Sequence, residues 1–355
     1  MIQLPLAIFL TALVSLPAAQ TVPTTIPEMW GAWCARCHAD DGTGKVAEPT
    51  ITVEPMDFTE CKVTSAEPDA DWERAIAKGG PGVGLSSEMP GFEDSLTPDQ
   101  ISGFVTHMRG FCQEPGWPGG NNNFPLARIT EKAFPENEFV IRPAVSHKRN
   151  DDAPSATDVS FVAVYERRIG RRAMYEIGLP MRSISQPGGR QGGLGDIEVA
   201  IKYAAYASST TPRIVSFGLE AVLPNGSADK GIGNGTTIFE PYVAAGTMVR
   251  DMYVQAQAKV ELPVDILKAG RAFVYNLYVG RDTGAAPDTW TLGMEVNGEN
   301  NEVALTPQIR KGLTKTGALA ASLGVMIPVN KRHEQGVRWV GYLLWEFLEP
   351  VRARP

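Results

Sequence analysis

Two periodicities divide the chain. In its first third, apolar residues recur at helical spacing. Ile101, Phe104, Val105 and Met108 stand at i, i+3, i+4 and i+7, which places them on one buried helix face. TPDQ at 97–100 opens that helix: Thr97 caps, Pro98 takes the first helical position and Gln100 closes a capping box. TIPE at 25–28 has the same spacing and predicts a helix running into Trp33. A further helix, about 69–78, carries Trp72, Ala75 and Ile76 on one face and stops at Gly79-Gly80.

Beyond residue 137 the helical period vanishes and alternation at period two replaces it. In GDIEVAIKY, Ile197, Val199, Ile201 and Tyr203 are apolar, with Glu198 and Lys202 between them. In YVQAQAKVEL, Val254, Ala256, Ala258, Val260 and Leu262 alternate with Gln255, Gln257, Lys259 and Glu261. A soluble sandwich also alternates, so length and charge decide. Strands of soluble domains average about five or six residues, whereas a tilted strand crossing a bilayer needs roughly 9–11. About twelve long strands are predicted, near 138–149, 157–168, 172–185, 194–208, 213–224, 237–248, 251–263, 271–282, 288–299, 302–313, 317–329 and 337–348. Their polar face holds Glu176, Glu198, Lys202, Glu220, Lys259, Glu261, Glu295 and Arg310, charges suited to a watery lumen. Tyr175, Tyr203, Trp290, Trp339, Trp345 and Phe347 supply aromatic girdles. The expectation is an antiparallel transmembrane β-barrel over 138–355.

Composition narrows the class. A net charge of −7 on 355 residues argues against nucleic acid as a partner. No stretch after residue 20 is apolar enough for a membrane-spanning helix. The first 20 residues, with the apolar run LPLAIFLTALVSLP and the small residues PAAQ, read as a signal peptide cleaved around Ala18 to Gln20, although no Lys or Arg precedes the run. Between the two modules, 116–137 is rich in Pro, Gly and Asn at its start and reads as a linker.

The candidate chemistry lies in GAWCARCHADDGTG, residues 31–44. Cys34, Cys37 and His38 stand as C-x-x-C-H, the spacing of c-type haem attachment. Two thiols three residues apart reach both vinyl groups of one porphyrin, and the adjacent His ligates iron. A redox C-x-x-C or half of a zinc site are the competing readings. Met89-Pro90, between a glycine-rich loop and the last helix, offers a thioether for the opposite face, with Met56 as the rival. His/Met ligation fills the coordination sphere and suits electron transfer.

With these residues in view, 21–115 resembles a class I cytochrome c in CARCH, ADDGTG, the M-P-G-F loop and the final amphipathic helix. The resemblance implies an all-α haem domain with one covalent haem c, His38 and Met89 as axial ligands, and a proline carbonyl from Pro49 or Pro55 holding the imidazole. His107 on the last helix reads as structural or exposed. Cys61 and Cys112 bracket most of the module, and in an exported chain a disulfide is the default reading.

The second half resembles the small outer-membrane barrels of the MetA-pathway-of-phenol-degradation family in GGLGDIEVAIKY, LEAVLPNG, FEPYVAAG and LTPQI. Together the halves resemble cytochrome–porin fusions in architecture. The resulting expectation is a multidomain chain at the bacterial outer membrane: an electron carrier rather than an enzyme, its haem domain on the periplasmic side, exchanging electrons with periplasmic carriers or other cytochromes. The alternative is an outer-membrane channel or transporter for small solutes, with the cytochrome as redox sensor, gate or tether.

Overall fold

A computed structural model describes residues 23–47, 51–150, 153–283, 289–330 and 336–347. The expected signal peptide, 1–20, and Pro49 lie outside the described residues.

Thirteen strands form: β1 Glu138–Asn150, β2 Ala153–Ile169, β3 Ala173–Gln186, β4 Gly189–Leu194, β5 Ile197–Ser208, β6 Arg213–Leu223, β7 Ile238–Val249, β8 Met252–Pro263, β9 Ala272–Thr283, β10 Trp290–Glu299, β11 Glu302–Gly312, β12 Leu319–Pro328 and β13 Arg338–Glu346. Their sheet order runs from β2 through β1, β13 and the descending strands to β5 and β3, and a β2–β3 pairing closes it. Twelve strands therefore make the ring, all antiparallel. β4 pairs with β3 alone, as a hairpin standing off the wall. Closure leaves no unpaired strand edge in the twelve-stranded ring, an edge that lipid would punish because it offers no hydrogen bonds.

The alternation resolves into an outside and an inside. Ile201 is 62% exposed while its neighbour Lys202 is 3% exposed. Leu219, Leu277, Leu323, Trp339 and Trp345 also face outward, whereas Ser216, Glu295 and Thr306 are wholly buried. Charges inside and aliphatic residues outside invert the arrangement of a water-soluble domain. That inversion matches an apolar band in contact with lipid, and places the barrel in the outer membrane.

The mouth where β1 begins and β13 ends, here the near mouth, carries the N-terminal helices. These are α1 Ile26–Met29, α2 Ala35–His38, α3 Cys61–Thr64, α4 Asp69–Gly82 and α5 Pro98–Arg109, with a wide π-type turn at Trp30–Cys34. Capping boxes start α1 and α5 at Thr25 and Thr97. α4 breaks at Gly79, whose φ of 67° is the left-handed region glycine adopts without strain. Any Cβ there would meet the Met89 carbonyl oxygen at 2.6 Å. Trp30, Phe58, Trp72, Ile76, Phe104 and Met108 pack as the core of this part. A Cys61–Cys112 disulfide joins α3 to the chain just beyond α5.

The expectation of a sizeable all-α cytochrome c domain preceding the barrel is corrected here. Among the described residues only α4 and α5 exceed five residues of helix. The physical reason is local: the 31–44 stretch winds as one wide turn and one turn of helix, stopped at Ala39 with φ 60°. Much of what remains is irregular chain seated on the barrel. The architecture is a twelve-stranded barrel with a few short helices at one mouth.

Candidate functional site

A ring of eight strands fills its interior with its own side chains, but twelve strands leave room. Residues 122–137 occupy that room. Phe124, Leu126, Arg128, Thr130, Lys132 and Phe134 are all buried. The segment enters at the near mouth, rises to its apex around Arg128–Glu131, and descends to Asn137, where β1 begins. Phe124 packs against the Gly246 backbone so closely that a Cβ there would lie 2.8 Å from the ring.

This plug has no regular secondary structure beyond a short 3₁₀ turn at Gly120–Asn122, so its backbone groups need partners from the wall. Glu295 supplies the largest share. Its carboxylate accepts from the backbone N–H groups of Arg128 (2.8 Å), Ile129 (3.0 Å) and Thr130 (2.6 Å), and from the Thr130 hydroxyl. Gln308 donates to the same carboxylate. Elsewhere Gln255 Nε2 donates to the Pro125 carbonyl at 2.8 Å, Tyr342 to Leu126 O at 2.8 Å, and Lys202 to Lys132 O at 2.6 Å. The Lys202 ammonium also pairs with Glu131 at 2.7 Å. On the way out, Arg168 Nη2 donates to Pro135 O at 2.9 Å.

All eight polar-face residues anticipated from the alternation lie in the inward register of their strands: Glu176, Lys202 and Glu295 are buried, and Glu198, Glu220, Lys259, Glu261 and Arg310 are half-buried on the same face. Sequence reasoning missed Glu138, Arg142, Glu166 and Glu240, and it read 116–137 as a linker. The signal available was the run of large apolar residues Phe124, Leu126, Ile129 and Phe134 in a stretch otherwise resembling a tether.

The helical part is fastened to the plug and the near mouth. Arg168 Nη1 donates to Ser65 Oγ at 3.1 Å, Asn123 to Ala66 O at 2.8 Å, and Arg172 Nε to Gly116 O at 2.7 Å. Between the two parts lies a cavity of about 750 Å³. Cys34, Cys37, His38 and Met89 all border it, together with Met56. On the barrel side Glu136, Arg168 and Glu346 close it. Cys34 and Cys37 are free thiols. Burial, reinforced by Cys37, pushes the Cys34 thiol up to about 11, and burial holds the His38 imidazole below its usual value. Glu67, another lining residue, is pushed up to about 7 by burial, with Asp71 adding to it.

Comparison with known proteins bears on the barrel. The family described as "Putative MetA-pathway of phenol degradation" matches residues 138–341. No curated protein matches the chain. Among solved structures, an outer membrane channel from Pseudomonas putida F1 is 13% identical, covering 63% of this chain and 100% of that one, with a TM-score of 0.45. The KdgM porin in complex with disordered oligogalacturonate is 11% identical, covering 59% and 99%, with a TM-score of 0.39. Outer membrane phospholipase A from Escherichia coli is 12% identical, covering 64% and 96%, with a TM-score of 0.38.

These findings correct two expectations. The electron-carrier reading gives way to the channel reading, because the matched family and the dominant architecture are those of the barrel. The haem c expectation falls with it: it stood on the Cys34-Cys37-His38 motif and Met89, and the family match begins only at residue 138. Nor does any group of three or more His, Cys, Asp or Glu side chains among the described residues gather as a metal site. The match spans more than half of the sequence, and the chain belongs to the MetA-pathway of phenol degradation family.

Proposed function

We propose that the chain is an outer-membrane channel for small solutes, closed in this conformation by its own residues 122–137. One observation carries the reading: a twelve-stranded ring with charged and polar side chains on its inner face has its bore filled by irregular chain, held by hydrogen bonds to the wall beside apolar packing of Phe124, Leu126 and Phe134. A barrel serving only as an anchor has no need of a polar bore. The hydrogen bonds to the Glu295 carboxylate and from the Lys202 ammonium are each worth about 1.5–3 kcal/mol net, so replacing one such wall residue removes a large share of what holds the plug.

The near mouth, with its short connections at 170–172, 209–212 and 250–251, faces the periplasm in this reading. The far mouth, which has the 14-residue connection 224–237 beside the two-residue 300–301, faces outside, where bacterial barrels carry their longer loops. Planar-bilayer recording of the full chain tests the proposal. The native protein gives small or rare openings. Glu295→Ala, which frees the plug apex, gives larger and longer ones. A Glu295→Ala barrel that resists SDS unfolding as the native one does, yet passes neither ions nor sugars in liposomes, overturns it.

A further inference from the structure

The strand register lines up inward glutamates across neighbouring strands. Glu346 stands opposite Glu138, Glu138 opposite Glu166, and Glu166 opposite Glu176. The line continues through Ala200 to Glu220 and Glu240. Six carboxylates thus follow one hydrogen-bonded row across seven strands. Strands tilt in a closed barrel, so the row climbs as it winds. It begins at the near mouth with Glu346, the last residue of β13, and ends at the far mouth with Glu240, near the start of β7.

Like charges directly opposite one another destabilise a sheet unless something neutralises them. The cations of the lumen only partly do so. Lys202 is committed to Glu131 and the Lys132 carbonyl, Lys132 to Glu136, and Lys259 to Glu240 with Glu220 at 3.8 Å. Arg142 reaches Glu166 at 3.8 Å. Among the described residues Glu138, Glu176 and Glu346 have no ion pair. Glu138 is wholly buried, and neither of its carboxylate oxygens has a hydrogen-bond partner. A buried carboxylate in that state is costly until a proton or a cation joins it. Glu346 and Glu136 border the cavity at the near mouth, which opens this end of the row to solutes.

The ligand's chemistry follows from the spacing. Neighbouring strands are about 4.8 Å apart, so the carboxylates repeat along a line instead of converging on a point. Among the described residues no compact cluster of metal-ligating side chains is assembled there. A linear chain of ammonium groups separated by a few methylenes matches such a row. We propose that this row is a binding track for linear polyammonium cations, reached through the cavity at Glu346.

The proposal rests on the channel reading only for transport; binding is separate. Isothermal titration of the full chain in detergent at low ionic strength, with spermidine as probe, is the test. Saturable binding is expected, weakened at least tenfold in Glu138→Gln/Glu346→Gln and also reduced in Glu176→Gln. Resistance to SDS unfolding reports that each variant keeps its barrel. Equal binding by native and variant proteins, or no binding by the native one, overturns the proposal. In bilayers, spermidine on the near-mouth side blocks the current of Glu295→Ala. Binding without any conductance supports the track and sinks the channel reading; conductance without binding does the reverse.

Discussion

The helical part and the barrel are built on opposite principles. Around Trp30, Trp72 and Phe104 the chain turns apolar groups inward and leaves polar ones in water. In the barrel, Lys202, Glu138 and Glu295 are inside and Ile201, Leu219 and Leu323 outside. The first arrangement is held by exclusion from water. The second has its apolar face solvated by lipid and its interior held by directed polar contacts together with small apolar clusters around Phe124, Phe134 and Leu126. The two parts should therefore fail under different insults.

The largest contrast is expected from Phe104→Ala, which empties a position 1% exposed at the centre of the helical core. Loss of about 3–5 kcal/mol follows for that part. Urea unfolding read by tryptophan fluorescence should shift, while the barrel's resistance to SDS should not. A joint shift would erase the distinction between the two parts. Replacing Cys61 and Cys112 by Ser opens a loop spanning 51 residues, worth on the order of 4 kcal/mol in the chain-entropy model. The same assay should again move only the helical part.

Leu219→Arg probes the other principle. It sets a charge on the lipid face near the middle of β6 and should cost roughly 2–4 kcal/mol of barrel stability in vesicles, leaving the helical unfolding unchanged. An Arg tolerated there without cost would mean that this face does not meet lipid. The smallest effect concerns pH. Glu67 holds its proton up to about 7 when folded, against an ordinary 4.5, because burial disfavours its charge. The folded state then binds the extra proton, so stability of the helical part falls as pH rises from about 4.5 to about 7. Glu67→Gln should flatten that slope in thermal melts; an unchanged slope assigns it elsewhere.

Legibility followed the range of the interactions. Helix α5 was readable because Thr97, Pro98, Gln100 and the Ile101–Met108 stripe act within one short segment. The wall was readable because alternation is local and the bilayer sets its length. β4 was not, since SQPGGRQGGL has no alternation and its pairing depends on β3. The plug was hidden for a deeper reason: what orders Arg128–Thr130 is Glu295, 165 to 167 residues away. The C-x-x-C-H spacing is the opposite case: it is a strictly local motif, and it carries no information about the wall that makes up the larger part of the chain.

The seam of the ring carries a consequence for biogenesis. β1 pairs with β13, the first strand of the wall with the last, and the plug immediately precedes β1. The seam cannot shut until the final strand has been made, so residues 122–137 must wait beside an open sheet and be enclosed as it curls. Insertion and plugging are then a single event. A chain truncated before β13 would leave both the sheet edge and the plug uncovered, presenting quality-control proteases with two exposed segments at once.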